Sequence, residues 1–148
     1  MVLKSVDNPH YYKNARVDAI VYPGDLRKIN SIKDSVKESR YKLRGLDLTK
    51  TGIFDTYDLL LAHLLLGEAV VWGNEFKDLL KAILNIKADY YVIVDFKEDP
   101  VVDYEYLETY LAENNYEIIA KEEINKKQPQ EFESFIGKTY IGYLIKKK

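Results

Sequence analysis

Strand-like and helix-like patterns alternate along this chain from Thr56 to Lys146, and that alternation constrains its fold more than any other feature. Tyr57 to Ala62 is a near-continuous apolar run of the kind that fills the centre of a parallel sheet covered on both faces, with His63 at or just past its C-terminal end. Gly73-Asn74 then offers a turn and a helix cap, and Phe76, Leu79, Leu80, Ile83, Leu84 and Ile86 fall on one helical stripe. Tyr90 to Phe96 is the clearest buried strand in the chain. After Asp99-Pro100, the positions Tyr104, Leu107, Tyr110 and Leu111 predict a second helix, ended by Asn114-Asn115, which tolerates left-handed conformations. Tyr116 to Ala120 and Thr139 to Ile145 read as two strands joined without a helix, which permits an antiparallel pair at the sheet edge.

The front of the chain follows the same logic with weaker signals. Met1 to Asn14 is polar, with Asn8-Pro9 as a turn, so residues 1–16 are expected to form an arm. Val17 to Tyr22 reads as a buried strand stopped by Pro23-Gly24-Asp25. Leu26, Ile29, Ile32 and Val36 recur at helical spacing through Ser39, Tyr41 to Leu48 is strand-like, and Thr49-Lys50-Thr51-Gly52 closes that strand as a loop. Strands separated by helices imply right-handed crossovers, hence a three-layer α/β fold with a mostly parallel, doubly wound sheet over residues 17–148.

Composition narrows the classes of function. At 148 residues the chain is in the range of one domain, able to bury a core without disulfides or metal. It contains no cysteine, which removes thiolate metal sites and disulfide scaffolds, and its two histidines form no cluster of metal-ligand spacing. The segment Met1 to Asp7 lacks an apolar signal core and the run Leu59 to Leu66 is too short to cross a bilayer, so a cytoplasmic location is expected. With 22 Lys and Arg against 24 Asp and Glu, no bulk electrostatic term favours nucleic acid, and the 13 tyrosines are ordinary strand formers.

From Thr56 to its end the chain resembles class I S-adenosylmethionine-dependent methyltransferases. The stretch Phe54 to Ala62 looks like the family's fourth strand, Leu79 to Leu84 the helix after it, and Tyr91 to Asp95 the fifth strand. Tyr106 to Ile119 resembles the penultimate helix turning into the sixth strand, and the family's last strand inserts antiparallel beside its predecessor. Extended backwards, the resemblance makes Val17 to Tyr22 similar to the second strand and Tyr41 to Leu48 to the third. It then implies that Asp25 lies near the cofactor ribose and Asp47 near the adenine. Residues 1–16 contain no glycine, so in this register the family's first strand, with its glycine-rich turn, is missing or reduced to an unrecognisable arm. An alternative register makes Val17 to Tyr22 the first strand and Tyr22-Pro23-Gly24-Asp25 a reduced cofactor loop, in which Pro23 fixes φ and removes a donor.

Each candidate also has a structural explanation. His63 is the candidate general base toward a methyl acceptor, although a histidine beside Leu64-Leu65-Leu66 is more often a partly buried, hydrogen-bonded packing residue. Asp25 suits the N-cap of the helix starting at Leu26, and Asp47 suits a turn with Thr49 or Thr51. Asp95 lies at the carboxyl end of a strand, where doubly wound sheets bind ligands, but is expected to be an exposed loop carboxylate beside Lys97 and Glu98. Trp72 is expected to cover the core, the other reading being part of an acceptor pocket.

Three functions remain open: a methyltransferase using S-adenosylmethionine, Asp25, Asp47 and His63; a non-catalytic module of the same fold; and another nucleotide-binding doubly wound protein. A sheet shortened at the missing strand leaves an open edge, which a protein partner or a second copy of the chain would cover. The placement of Thr139 to Ile145 discriminates: unless it runs antiparallel beside Tyr116 to Ala120, the methyltransferase reading fails.

Overall fold

A computed structural model describes residues 16–21, 41–125 and 139–148. The chain divides into two compact units, Met1–Asp47 and Leu48–Lys148. In the first, strand β1 (Val17–Val21) pairs in parallel with β2 (Tyr41–Gly45), Val17 opposite Tyr41 and Val21 opposite Gly45. Arg44 Nε and Nη2 donate to the two carboxylate oxygens of Asp18 at 3.2 and 2.5 Å, a fork that fastens one strand to the other. β2 stops at Gly45, earlier than the expected Leu48, because glycine has no side chain to pack on a pleated surface. The helix expected from Leu26 to Ser39 lies outside the described residues.

The second unit is built on β3 (Thr56–His63), helix α1 (Phe76–Asn85), β4 (Lys87–Phe96), helix α2 (Tyr104–Glu113), β5 (Tyr116–Ile124) and β6 (Tyr140–Lys147). Its sheet runs in the order β3-β4-β6-β5. β3 and β4 are parallel, and β6 lies antiparallel to both β4 and β5. The last strand is therefore inserted between its two predecessors, the placement on which the sequence reading depended. Whether β5 and β6 are joined without a helix concerns residues 126–138, outside the described residues.

Both crossovers leave from one side of the sheet, so α1 and α2 cover the same face. Every second residue along the strands points there: Ala62, Tyr91, Ile93, Tyr143 and Ile145 are buried with Leu79, Leu80, Ile83, Leu107 and Leu111 from the helices. The helical stripe of α1 falls as the sequence predicts, with Phe76, Leu79, Leu80, Ile83 and Leu84 inward. Its cap does not. Glu75 is the capping residue and makes no side-chain bond, while the Asn74 side chain accepts instead from Thr49 Oγ1 at 3.0 Å. α2 is capped by Asp103, whose Oδ1 accepts from Tyr106 N at 2.9 Å, and closes on Asn115 at φ 63°. Two tyrosine hydroxyls complete the end of α1: Tyr116 donates to Leu84 O at 2.9 Å and Tyr91 to Ile86 O at 2.5 Å. They satisfy carbonyls that a helix C-terminus leaves without an internal partner.

The opposite face of the sheet is more open, with Leu59 55 %, Leu61 48 % and Tyr90 39 % exposed. Among the described residues no helix is long and apolar enough to cross a membrane.

Candidate functional site

Parallel sheets of this kind bind ligands beyond the carboxyl ends of their strands, which in the second unit means the ends of β3 and β4. His63 is the last residue of β3, and its side chain is exposed. Leu64 then turns the chain at φ 53°, an unusual conformation for a leucine, held by its N–H donating to Val94 O at 2.8 Å. Leu66 and Ala69 are fully buried and anchor the following turn, whose tip is a short 3-10 stretch, Val70–Trp72, closed by Gly73 at φ 72°.

The centre of this end of the sheet is Asp95, only 2 % exposed. Its Oδ2 accepts from Gly67 N at 3.1 Å and its Oδ1 from Phe96 N at 3.0 Å. Burial, reinforced by the nearby Asp99, outweighs these bonds and pushes the Asp95 carboxyl above the usual carboxylate range. Asp99 is positioned in turn by Val101 N, which donates to its Oδ1 at 2.9 Å. A Cβ on Gly67 would meet Asp99 Oδ2 at 2.3 Å and Asp95 Oδ1 at 3.1 Å, so Gly67 is what allows the two carboxylates to close on the backbone. The Tyr104 hydroxyl donates to Phe96 O at 2.6 Å, and burial together with these carboxylates raises its pKa.

The expectation that Asp95 is an exposed loop carboxylate is thus overturned. Its environment is made by a turn 28 residues earlier in the chain, whose amide takes up the buried oxygen. Gly67 and Asp99 were not singled out by sequence; the available signal was a lone glycine breaking the run after Leu64-Leu65-Leu66.

The remaining candidates fall as follows. Asp47 lies two residues past β2, half-buried and engaged with a neighbouring group. Asp25 lies outside the described residues. Asp47 belongs to the first unit and His63 to the second. Trp72 occupies the 3-10 turn after β3. No cluster among the described residues could hold a metal ion.

Toward S-adenosylmethionine, the first unit offers a carboxylate just beyond β2 and the second, separately, an exposed imidazole at the end of β3. The close-approach glycine of the second unit does not serve a ligand, because the chain's own Asp99 fills the space before it. A separate open cavity of about 890 Å³ runs between the loop at residues 48–54 and the flank of α1, where Lys50, Lys81 and Lys87 mix with Glu75 and Asp78. It does not include His63 or Asp95.

No family model matches the chain, and no curated protein matches it. Solved structures do. The candidate RNA methyltransferase PH1948 of Pyrococcus horikoshii superposes with a TM-score of 0.62 at 12 % identity, covering 89 % of this chain and 63 % of its own. A chain of the Pnkp1/Rnl/Hen1 RNA repair complex gives 0.63 at 8 %, covering 98 % of this chain and 34 % of its own. The 16S rRNA methyltransferase RmtF, solved with S-adenosyl-L-homocysteine, gives 0.52 at 11 %, covering 99 % and 62 %. This chain therefore spans between a third and two thirds of the length of these neighbours. At such identities the likeness establishes architecture, and the fold of this chain is methyltransferase-like.

Proposed function

We propose that this chain takes a methyl group from S-adenosylmethionine and passes it to an acceptor still to be identified. The observation that carries the reading is β6, inserted antiparallel between β4 and β5, together with an exposed His63 where β3 reaches the ligand-binding edge. In this reading Asp25 holds the ribose and Asp47 the adenine of the donor. S-adenosylmethionine, when bound, would supply an electrophilic methyl group and leave as S-adenosylhomocysteine once its S–CH3 bond breaks, and His63 would take the proton of the acceptor. The neighbours that are described by name as RNA enzymes make RNA the first acceptor class to assay, with small hydroxyl and amine compounds second.

The test is transfer of labelled methyl from S-adenosylmethionine by the wild-type chain and by His63→Ala. A positioned general base contributes on the order of a hundredfold or more, so His63→Ala is expected to lose transfer by about that factor while donor binding is retained. Transfer undiminished in the variant would remove His63 from the site.

A second reading is favoured by one specific feature. Residues 1–16 carry no glycine, and Gly67 is closed by Asp99, so a non-catalytic module of this fold accounts for the same architecture without a donor site. Absence of both donor binding and transfer selects it.

A further inference from the structure

Asp99 occupies the space that the missing side chain leaves at Gly67. Its Oδ2 lies 2.3 Å from where a Cβ would stand, and Asp95 Oδ1 lies 3.1 Å from the same point. Two carboxylates thus meet on one side of a glycine, and among the described residues neither forms an ion pair. They are held unequally. Asp95 is buried, takes an amide N–H on each oxygen from Gly67 and Phe96, and lies opposite Ile141 of β6. Asp99 is half-buried on the loop between β4 and α2, and its carboxylate is fixed by one bond, from Val101 N at 2.9 Å. The surrounding groups supply no compensating charge. On the same loop Lys97 pairs with Glu123 of β5, and Glu98 accepts from Thr139 N. From α2, Tyr104 spends its hydroxyl on Phe96 O and Asp103 accepts from Tyr106 N; from β6, Tyr143 donates to Glu108. Along the turn after β3, Glu68 and His63 are exposed. Burial and the charge of Asp99 therefore act on Asp95 in the same direction, and both favour its neutral form.

We propose that Asp99 is a proton-operated plug on Gly67, seated while Asp95 is neutral and turned outward when Asp95 ionises, so that the Gly67 backbone is bared at the carboxyl end of the sheet. When Asp95 gives its proton to solvent, the bonds from Gly67 N and Phe96 N become charge-assisted and tighten, which keeps Asp95 in place. The two like charges then repel across a short distance in a poorly solvated corner, and the less firmly held one yields. Asp99 gives up the Val101 amide and takes its carboxylate into water. The ends of its loop stay anchored, at Lys97 by the bond from Lys97 N to Thr139 O and at Val102 by burial, so the movement is confined to the residues between them. The device is independent of methyl transfer, and its failure leaves that reading untouched.

The test is NMR of the full chain from about pH 4 to pH 8, following the side-chain carboxyl carbon of Asp95 and the exchange protection of the Gly67 and Val101 amides, corrected for the intrinsic pH dependence of exchange. Asp95 is expected to titrate above the ordinary aspartate range. Over the same interval Val101 should lose protection about tenfold or more while Gly67 keeps its own. Asp99→Asn retains an acceptor for Val101 N and removes the repelling charge; it is expected to abolish the response at Val101 and to move the Asp95 titration downward. Protection at Val101 that does not change as Asp95 titrates overturns the proposal. Equal losses at Val101, Gly67 and the amides of β4 also overturn it, because they report general loosening instead of release of Asp99. So does an Asp95 that titrates in the ordinary range. All three refuting results are read on the wild-type chain and need no variant to fold.

Discussion

Gly67→Ala tests the packing of the site end of the sheet. The added Cβ would lie 2.3 Å from Asp99 Oδ2 and 3.1 Å from Asp95 Oδ1. Asp95 is buried and held by two backbone amides, so it has nowhere to go, and Asp99 must yield. Turning Asp99 away breaks the bond from Val101 N, a charge-assisted interaction worth about 1.5 to 3 kcal/mol. Residual crowding against Asp95 adds about 1 kcal/mol, and separating two like charges returns a similar amount. The expected loss is about 2 kcal/mol, read as a lower urea midpoint at unchanged m-value. The cause is checked by combining Gly67→Ala with Asp99→Ala. If the clash is with Asp99, the double variant costs at least about 1 kcal/mol less than the sum of the two single losses. A single variant within about 0.5 kcal/mol of wild type, or strict additivity in the pair, would show that Asp99 does not block this position.

Other consequences are equally direct. Because Asp95 holds its proton to higher pH in the folded chain than in the unfolded one, its contribution to stability is complete below the ordinary carboxylate range and is lost as pH rises through its raised folded value. Urea stability measured across that window should fall more steeply for the wild type than for Asp95→Asn; parallel curves would contradict the assignment. Glu108 accepts a hydrogen bond from the buried Tyr143 hydroxyl at 2.8 Å and pairs with Lys121, the contact that chiefly holds its carboxyl below the usual range. Glu108→Ala leaves the Tyr143 hydroxyl without its acceptor and is expected to cost about 2 kcal/mol, whereas Glu108→Gln, which keeps an acceptor and loses only a half-exposed ion pair, should cost less than half of that in denaturant melts.

Much of the second unit was legible in the sequence because its elements announce themselves locally. The β-branched, aromatic run from Tyr90 to Phe96 and the stripe from Phe76 to Leu84 mark a strand and a helix locally. Asn114-Asn115 marked the end of α2 for the same reason. What failed depended on partners distant in the chain. Asn74 suits a helix cap, yet its side chain answers to Thr49, and Asp95 reads as a surface carboxylate until Gly67 and Asp99 are known to close over it. The candidate site was legible at His63, whose position at the end of β3 follows from the length of the apolar run. It was not legible at Gly67, since a glycine required for close approach looks in sequence like any other turn glycine.

Donor binding is tested most directly by a calorimetric titration of the chain with S-adenosylmethionine and S-adenosylhomocysteine, repeated with Asp47→Ala. Methyl transfer requires a donor site, so binding is expected in the micromolar range, about 8 kcal/mol, and weakened in the variant. No detectable heat, with a melting temperature unmoved at high ligand concentration, would contradict methyl transfer and select the non-catalytic module of this fold.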